Sequence, residues 1–188
     1  MSLGATAALF VMLGQTAEHT VEGIEELVPS DRLLLSEGYD VAPLLPRIVR
    51  RASDAAESYR LFFTFENFLR EFVVEVLSKD PATSWWDKVP KDVQDEITKL
   101  EETEEIKAWM AIGSRDKSAL MTFPQLLRVM EYAWKEGFDD IVRDKSLIQE
   151  ARLIVHLRNT ICHMTEIPPE EASRIRQTIR DWFRVVAP

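Results

Sequence analysis

The stretch Ala55-Ala56-Glu57-Ser58-Tyr59-Arg60-Leu61-Phe62-Phe63-Thr64-Phe65-Glu66-Asn67-Phe68-Leu69-Arg70-Glu71-Phe72-Val73-Val74-Glu75-Val76-Leu77 decides the fold of this 188-residue chain. Within it Ala55, Tyr59, Phe62, Phe63, Leu69, Phe72, Val73, Val76 and Leu77 repeat at the spacing of a helix with one apolar face. The spacing predicts a core helix from about Ser53 to Lys79, broken by Lys79-Asp80-Pro81-Ala82-Thr83-Ser84.

Upstream, Pro43 and Pro46 bracket a short irregular or one-turn segment. Before that, the apolar run Ala5 to Leu13 continues through Ala17, Val21, Ile24 and Leu27 at steps of three and four, and Val28-Pro29-Ser30-Asp31 stops it. The run is far short of the ~20 apolar residues a membrane span needs, and no basic residue precedes it. It reads as a first amphipathic helix rather than a span or an export signal, with an apolar stripe that is expected to complete the bundle.

Downstream, Trp85-Trp86 precedes a helix opened by Pro90. Adjacent tryptophans cannot share one helix face, so at least one is expected to plug the core, a commoner use of aromatics than base stacking. The Pro90 helix carries Glu101-Glu102-Thr103-Glu104-Glu105, read as a solvated face, and fades around Ile112-Gly113-Ser114-Arg115-Asp116. Thr122-Phe123-Pro124 is a cap with proline in the first turn, leading through Leu126, Leu127, Met130, Tyr132 and Trp134 to Gly137. One further helix runs from Asp144 or Ser146 through Leu147, Ile148, Ala151, Ile154, Val155 and Leu157. After Pro168-Pro169 a last helix carries Ala172, Ile175, Ile179, Trp182, Phe183 and Val186.

These elements make an all-α bundle of about six or seven helices. With no linker or repeat to divide it, residues 1–188 read as one domain in which residues 1–50 are an N-terminal extension of unassigned role. Six Gly leave little material for a turn-rich β fold. The single cysteine, Cys162, excludes an intramolecular disulfide, and with three His no Cys/His zinc site is expected, nor any cofactor. A reducing cytoplasm is the simplest setting.

A net charge of −9 argues against a protein that coats nucleic acid through bulk electrostatics. The tail differs: residues 151–188 hold six Arg against four acids, enough for a small RNA-facing patch or for an ordinary solvated face.

Arg158-Asn159-Thr160-Ile161-Cys162-His163 places a guanidinium, a carboxamide and an imidazole on the last turns of the penultimate helix. A metal-free ribonuclease needs such a set: a fixed cation for phosphate and a group that exchanges protons near neutral pH. Five residues at about 100° each set Arg158 and His163 roughly 140° apart, whereas Asn159 and His163 share a face. That spacing fits a site shared by two copies related by a two-fold axis better than a site within one chain. Taken alone, His163 also fits a helix C-terminus favoured by the dipole. His156 is read as capping or packing and Cys162 as buried, while His19 has no partner in the sequence.

In context the motif resembles the HEPN superfamily. Phe65-Glu66-Asn67-Phe68-Leu69-Arg70, Trp85-Trp86-Asp87-Lys88-Val89-Pro90 and Thr122-Phe123-Pro124-Gln125-Leu126-Leu127 extend the resemblance to a branch found in a eukaryotic RNA-surveillance endonuclease and in bacterial proteins. It covers roughly residues 55–188. The resemblance implies a homodimer in which two Arg-x-x-x-x-His segments form one metal-independent RNA endonuclease site, or a non-catalytic module that binds RNA or protein. It also implies a setting in toxin–antitoxin or phage-defence systems, with an antitoxin or larger assembly as partner. Arg158 and His163 would be the catalytic pair, Asn159 the polar residue beside the arginine, and Glu66 the additional acid of an early helix. Read from spacing alone, Glu66 and Arg70 make an ordinary surface ion pair.

Overall fold

A computed structural model describes residues 6–7, 10–17, 20, 32–106 and 116–186. They belong to two compact units, Met1–Glu57 and Ser58–Pro188, divided inside one long helix. His19, the stop at Val28–Asp31 and the end of the acidic helix at Ile112–Arg115 lie outside the described residues.

In the first unit, residues 10–17 (α1) are helical, as the apolar period predicts. Phe10, Val11, Met12 and Leu13 are all exposed. Four consecutive residues go most of the way round a helix and cannot share one buried face. A small hairpin follows, which the all-α reading did not include: β1 (Leu34–Ser36) pairs antiparallel with β2 (Tyr39–Asp40). Gly38 turns it at φ +87°, and the Asp40 carboxylate accepts the Leu33 and Ala42 N–H groups at 3.0 and 2.9 Å.

Helix α2 runs from Pro46 to Leu77, starting seven residues before the apolar stripe suggests. Proline suits a first helical turn because its missing N–H would have no partner there. That first stretch has no continuous stripe, since Ile48 is exposed while Val49 is buried, so periodicity could not mark it.

In the second unit, α2 buries Phe62, Phe65, Leu69, Phe72, Val73, Val76 and Leu77. Phe65 is fully buried, with ring centroids 5.7 Å from Phe123 and 5.8 Å from Trp182. Tyr59 and Phe63 are exposed, contrary to their assignment to the core stripe. The buried stripe is centred nearer Phe65, which leaves these two on its flank. Trp85 and Trp86 form a 3-10 turn with edge-to-face rings 5.5 Å apart, and both pack half-buried against the core.

Helix α3 (Lys91–Ile106) buries Val93 and Ile97 and turns most of its acidic run to solvent, with Glu101 paired to Lys117 at 2.8 Å. After α4 (Lys117–Leu120), the predicted cap starts α5 (Phe123–Tyr132): the Gln125 carboxamide oxygen accepts the Thr122 N–H at 2.8 Å and its hydroxyl at 2.9 Å. Tyr132 is exposed at its end rather than buried. Gly137, at φ +116°, turns the chain into α6 (Phe138–Val142).

The helix expected to run unbroken into the motif is two helices, α7 (Ser146–Leu153) and α8 (Val155–Cys162). The break is at Ile154 (φ −94°, ψ 2°), whose N–H reaches Ala151 O at 3.3 Å in a tightened turn. Ile154 is fully buried. No Gly or Pro marks the break, so packing rather than local propensity sets it. Helix α9 (Pro169–Val186) buries Ile175, Ile179 and Trp182, and the Trp182 indole donates to Leu147 O at 3.2 Å. Among the described residues, no helix is long and apolar enough to cross a membrane.

The C-terminus of α8 closes with Met164 N–H bonded to Ile161 O at 2.9 Å and Thr165 N–H to Thr160 O at 3.2 Å. This paired pattern requires a left-handed residue, and Met164 takes that place at φ 59°. Its side chain is 92% exposed, so replacing it removes no packing. Met164→Gly is therefore expected to raise stability by about 1 kcal/mol, read as a higher urea midpoint at unchanged slope.

Candidate functional site

Tyr59, Phe63, Glu66 and Arg70 follow one another at steps of four, three and four, so they form a second stripe on α2 beside the core stripe. On α8, Arg158, Ile161 and Cys162 share a face by the same rule. The two stripes line a cleft of about 280 Å³, together with Phe62 and Asn67.

One carboxylate organises the cleft. Glu66 Oε2 accepts Arg158 Nε at 3.0 Å, and Oε1 accepts both Arg158 Nη2 and Arg70 Nη2 at 3.2 Å. Arg70 is fixed from behind: its Nε donates to Ser118 O at 2.7 Å, Nη2 to Met121 O at 3.1 Å and Nη1 to Asn67 Oδ1 at 2.6 Å. Asn67 in turn donates to Phe63 O at 2.7 Å. The side chains of Glu66, Arg70 and Arg158 are 12%, 15% and 24% exposed, so this is a desolvated cross-helix network rather than the surface pair that spacing suggests.

Two guanidiniums against one carboxylate leave a positive charge in a chain of net charge −9. Burial works against the charge on Arg158, but the hydrogen bond and charge of Glu66, with smaller contributions from Cys162 and Tyr59, hold its pKa above the ordinary value. Arg158 spends Nε and Nη2 on Glu66. Its Nη1 has no partner among the described residues and can meet an anion in the cleft.

The other predicted site residues are not brought to this place. Asn159 and His163 are exposed and outside the lining of the cleft, on the face that helix geometry assigns to them. His163 caps α8, its N–H bonded to Asn159 O at 3.0 Å. The chain therefore unites Glu66 with Arg158, but not Arg158 with His163. Cys162 is exposed at the cleft rather than buried, because Leu157 and Ile161 take the inward positions of α8. His156 is exposed. Arg70 and the open rings of Tyr59 and Phe63 had no distinguishing sequence signal beyond their shared helical phase. Among the described residues, no three His, Cys, Asp or Glu side chains are grouped to hold a metal ion.

This arrangement accompanies a family match: the Swt1-like HEPN family aligns with residues 60–187. The chain belongs to that family. No curated protein and no solved structure matches it. The HEPN match spans every residue of the Glu66, Arg70 and Arg158 network and the Arg158–His163 motif, while residues 1–59, and with them Tyr59, fall outside it.

Removing Glu66 would strand two half-buried cations. Glu66→Ala is expected to cost about 2–4 kcal/mol of unfolding free energy. The loss in the Glu66→Ala/Arg158→Ala double variant should be smaller than the sum of the single losses, as measured by urea denaturation. Strict additivity would mean that the two side chains do not interact in solution.

Proposed function

We propose that this HEPN protein is a metal-independent RNA endonuclease whose complete site forms between two copies of the chain. The observation that supports this is the separation just described. A cation is held rigidly in an open cleft with an unspent N–H edge, and the only nearby imidazole of the motif projects from another face.

RNA supplies its own nucleophile, the 2′-OH. Cleavage then needs a base to take its proton, a cation for the charge growing on the phosphate, and an acid for the 5′-oxygen that leaves. His163 serves as the base or the acid, and its exposure lets it reach a neighbouring copy. Arg158 stabilises the phosphate through Nη1 while Glu66 fixes the plane of its guanidinium. Asn159, one turn before His163, orients the substrate or the imidazole. A dimer about a two-fold axis carries each arginine toward the other copy's histidine. The same reading places the protein in the cytoplasm as a toxin or phage-defence effector, restrained by an antitoxin or held in a larger assembly.

A second reading has a specific observation behind it. Arg158 is already engaged by Glu66, as it would be in a non-catalytic HEPN module that binds RNA or protein. One assay separates the two. Purified protein with mixed RNA in EDTA is expected to leave 2′,3′-cyclic phosphate ends, whereas the module leaves RNA intact. His163→Ala and Arg158→Ala are each expected to lower the cleavage rate by about 100-fold or more with the fold retained. Loss of wild-type cleavage in EDTA, or undiminished cleavage by His163→Ala, would sink the mechanism.

The shared site makes a further demand. Mixing the two inactive variants should restore about a quarter of wild-type activity, because half the dimers are mixed and each holds one intact pair. No recovery after confirmed subunit exchange would place arginine and histidine in the same chain's site, or require all four groups at once.

A further inference from the structure

The aromatic residues of the cleft are divided in an unusual way. Phe62 and Phe65 are buried, but Tyr59 and Phe63, on the same helix, keep 52% and 57% of their surface open. Their rings stand one turn apart, centroids 6.0 Å from each other and tilted by 34°, and both line the cleft that contains Arg158. Two large aromatic side chains left half in water forgo burial that the hydrophobic effect would otherwise reward.

The polar inventory narrows what could cover them. Both Glu66 oxygens, all three Arg70 nitrogens and the Asn67 carboxamide are already committed. Among the described residues of the lining, the groups still open are Arg158 Nη1, the Tyr59 hydroxyl and the Cys162 thiol. The cleft thus offers a ring surface with one fixed cation beside it and almost no edge-reading donors or acceptors. A flat ring carrying an anion matches that combination, as a nucleotide does. The second copy that the reading above brings to Arg158 contributes its histidine there, and two rings alone supply little of the about 800 Å² per partner that a stable interface buries, which leaves the rings to the substrate.

We propose that Tyr59 and Phe63 form a stacking platform that seats an unpaired nucleobase next to the phosphate held by Arg158. This rests on the RNA reading above and adds to it a substrate form: single-stranded RNA, taken without strong base preference because every base has a face to stack. Tyr59 and Phe63 are positioning residues in this scheme, setting which phosphate reaches Arg158.

The test uses the full chain in a His163→Ala background, so that RNA survives, and measures binding by fluorescence anisotropy. The probes are a short labelled single strand and the same strand with abasic riboses in place of its central bases. Tyr59→Leu/Phe63→Leu keeps apolar bulk but removes the rings. It is expected to bind the base-bearing strand about tenfold to 100-fold more weakly than the parent, while both proteins bind the abasic strand equally weakly. Tyr59→Phe/Phe63→Tyr, which keeps both rings, should bind like the parent.

Equal binding of the base-bearing strand by the leucine pair overturns the platform and leaves the RNA reading standing. A loss of the same size on the abasic strand, or a leucine pair that sediments as a smaller species than the parent, overturns it in favour of a general or protein–protein role. If the parent binds neither strand, the platform and the RNA reading fail together.

Discussion

A single carboxylate carries the coupling between the two helices of the site. Glu66 is nearly removed from water, and both its oxygens are taken by guanidiniums from α2 and α8. Such an ion cannot be left half-satisfied, because desolvation costs more than a surface pair returns. The rest of the cleft follows from meeting that demand. Arg70 is locked by the Ser118 and Met121 carbonyls, so the acid is oriented from behind, and Arg158 is held through Nε and Nη2 with Nη1 unengaged among the described residues.

The core makes this geometry possible. Phe65 is the residue immediately before Glu66, and its contacts with Phe123 and Trp182 fix the rotation of α2. That rotation presents Glu66 toward α8 and Arg70 toward the Ser118 and Met121 carbonyls, and leaves Tyr59 and Phe63 open. On the other side of the cleft, burial of Ile154 and the turn it imposes set the direction of α8, while Leu157 and Ile161 anchor it. Charge placement is thus a consequence of apolar packing: the polar network occupies what the aromatic core leaves beside it.

The chain keeps the fixed cation and the imidazole of the motif on different faces of one short helix. Arg158 is held side-on by the Glu66 carboxylate, whereas His163 stands at an exposed helix end. On the endonuclease reading proposed above, joining them through a second copy would tie activity to association.

The helical class, the cap at Thr122, the helix starts at Pro124 and Pro169 and the Arg158–His163 motif were legible in the sequence, because each depends on short-range periodicity or on backbone chemistry within a few residues. The start of α2 at Pro46 was not. The relative phase of Arg158 and His163 was legible for the same reason: 3.6 residues per turn fixes it without tertiary information. Other features depend on partners far away in the chain. Glu66 and Arg70 look like a surface pair until Arg158, 92 residues later, is placed against them. Tyr59 and Phe63 look like core until Phe65 sets the rotation of α2, and Cys162 looks buried until α8 is aimed by the break at Ile154. Local sequence determined which helices form and which residues share a face; only the packing of those faces decided which were covered, because burial is a property of pairs of elements and not of any one of them.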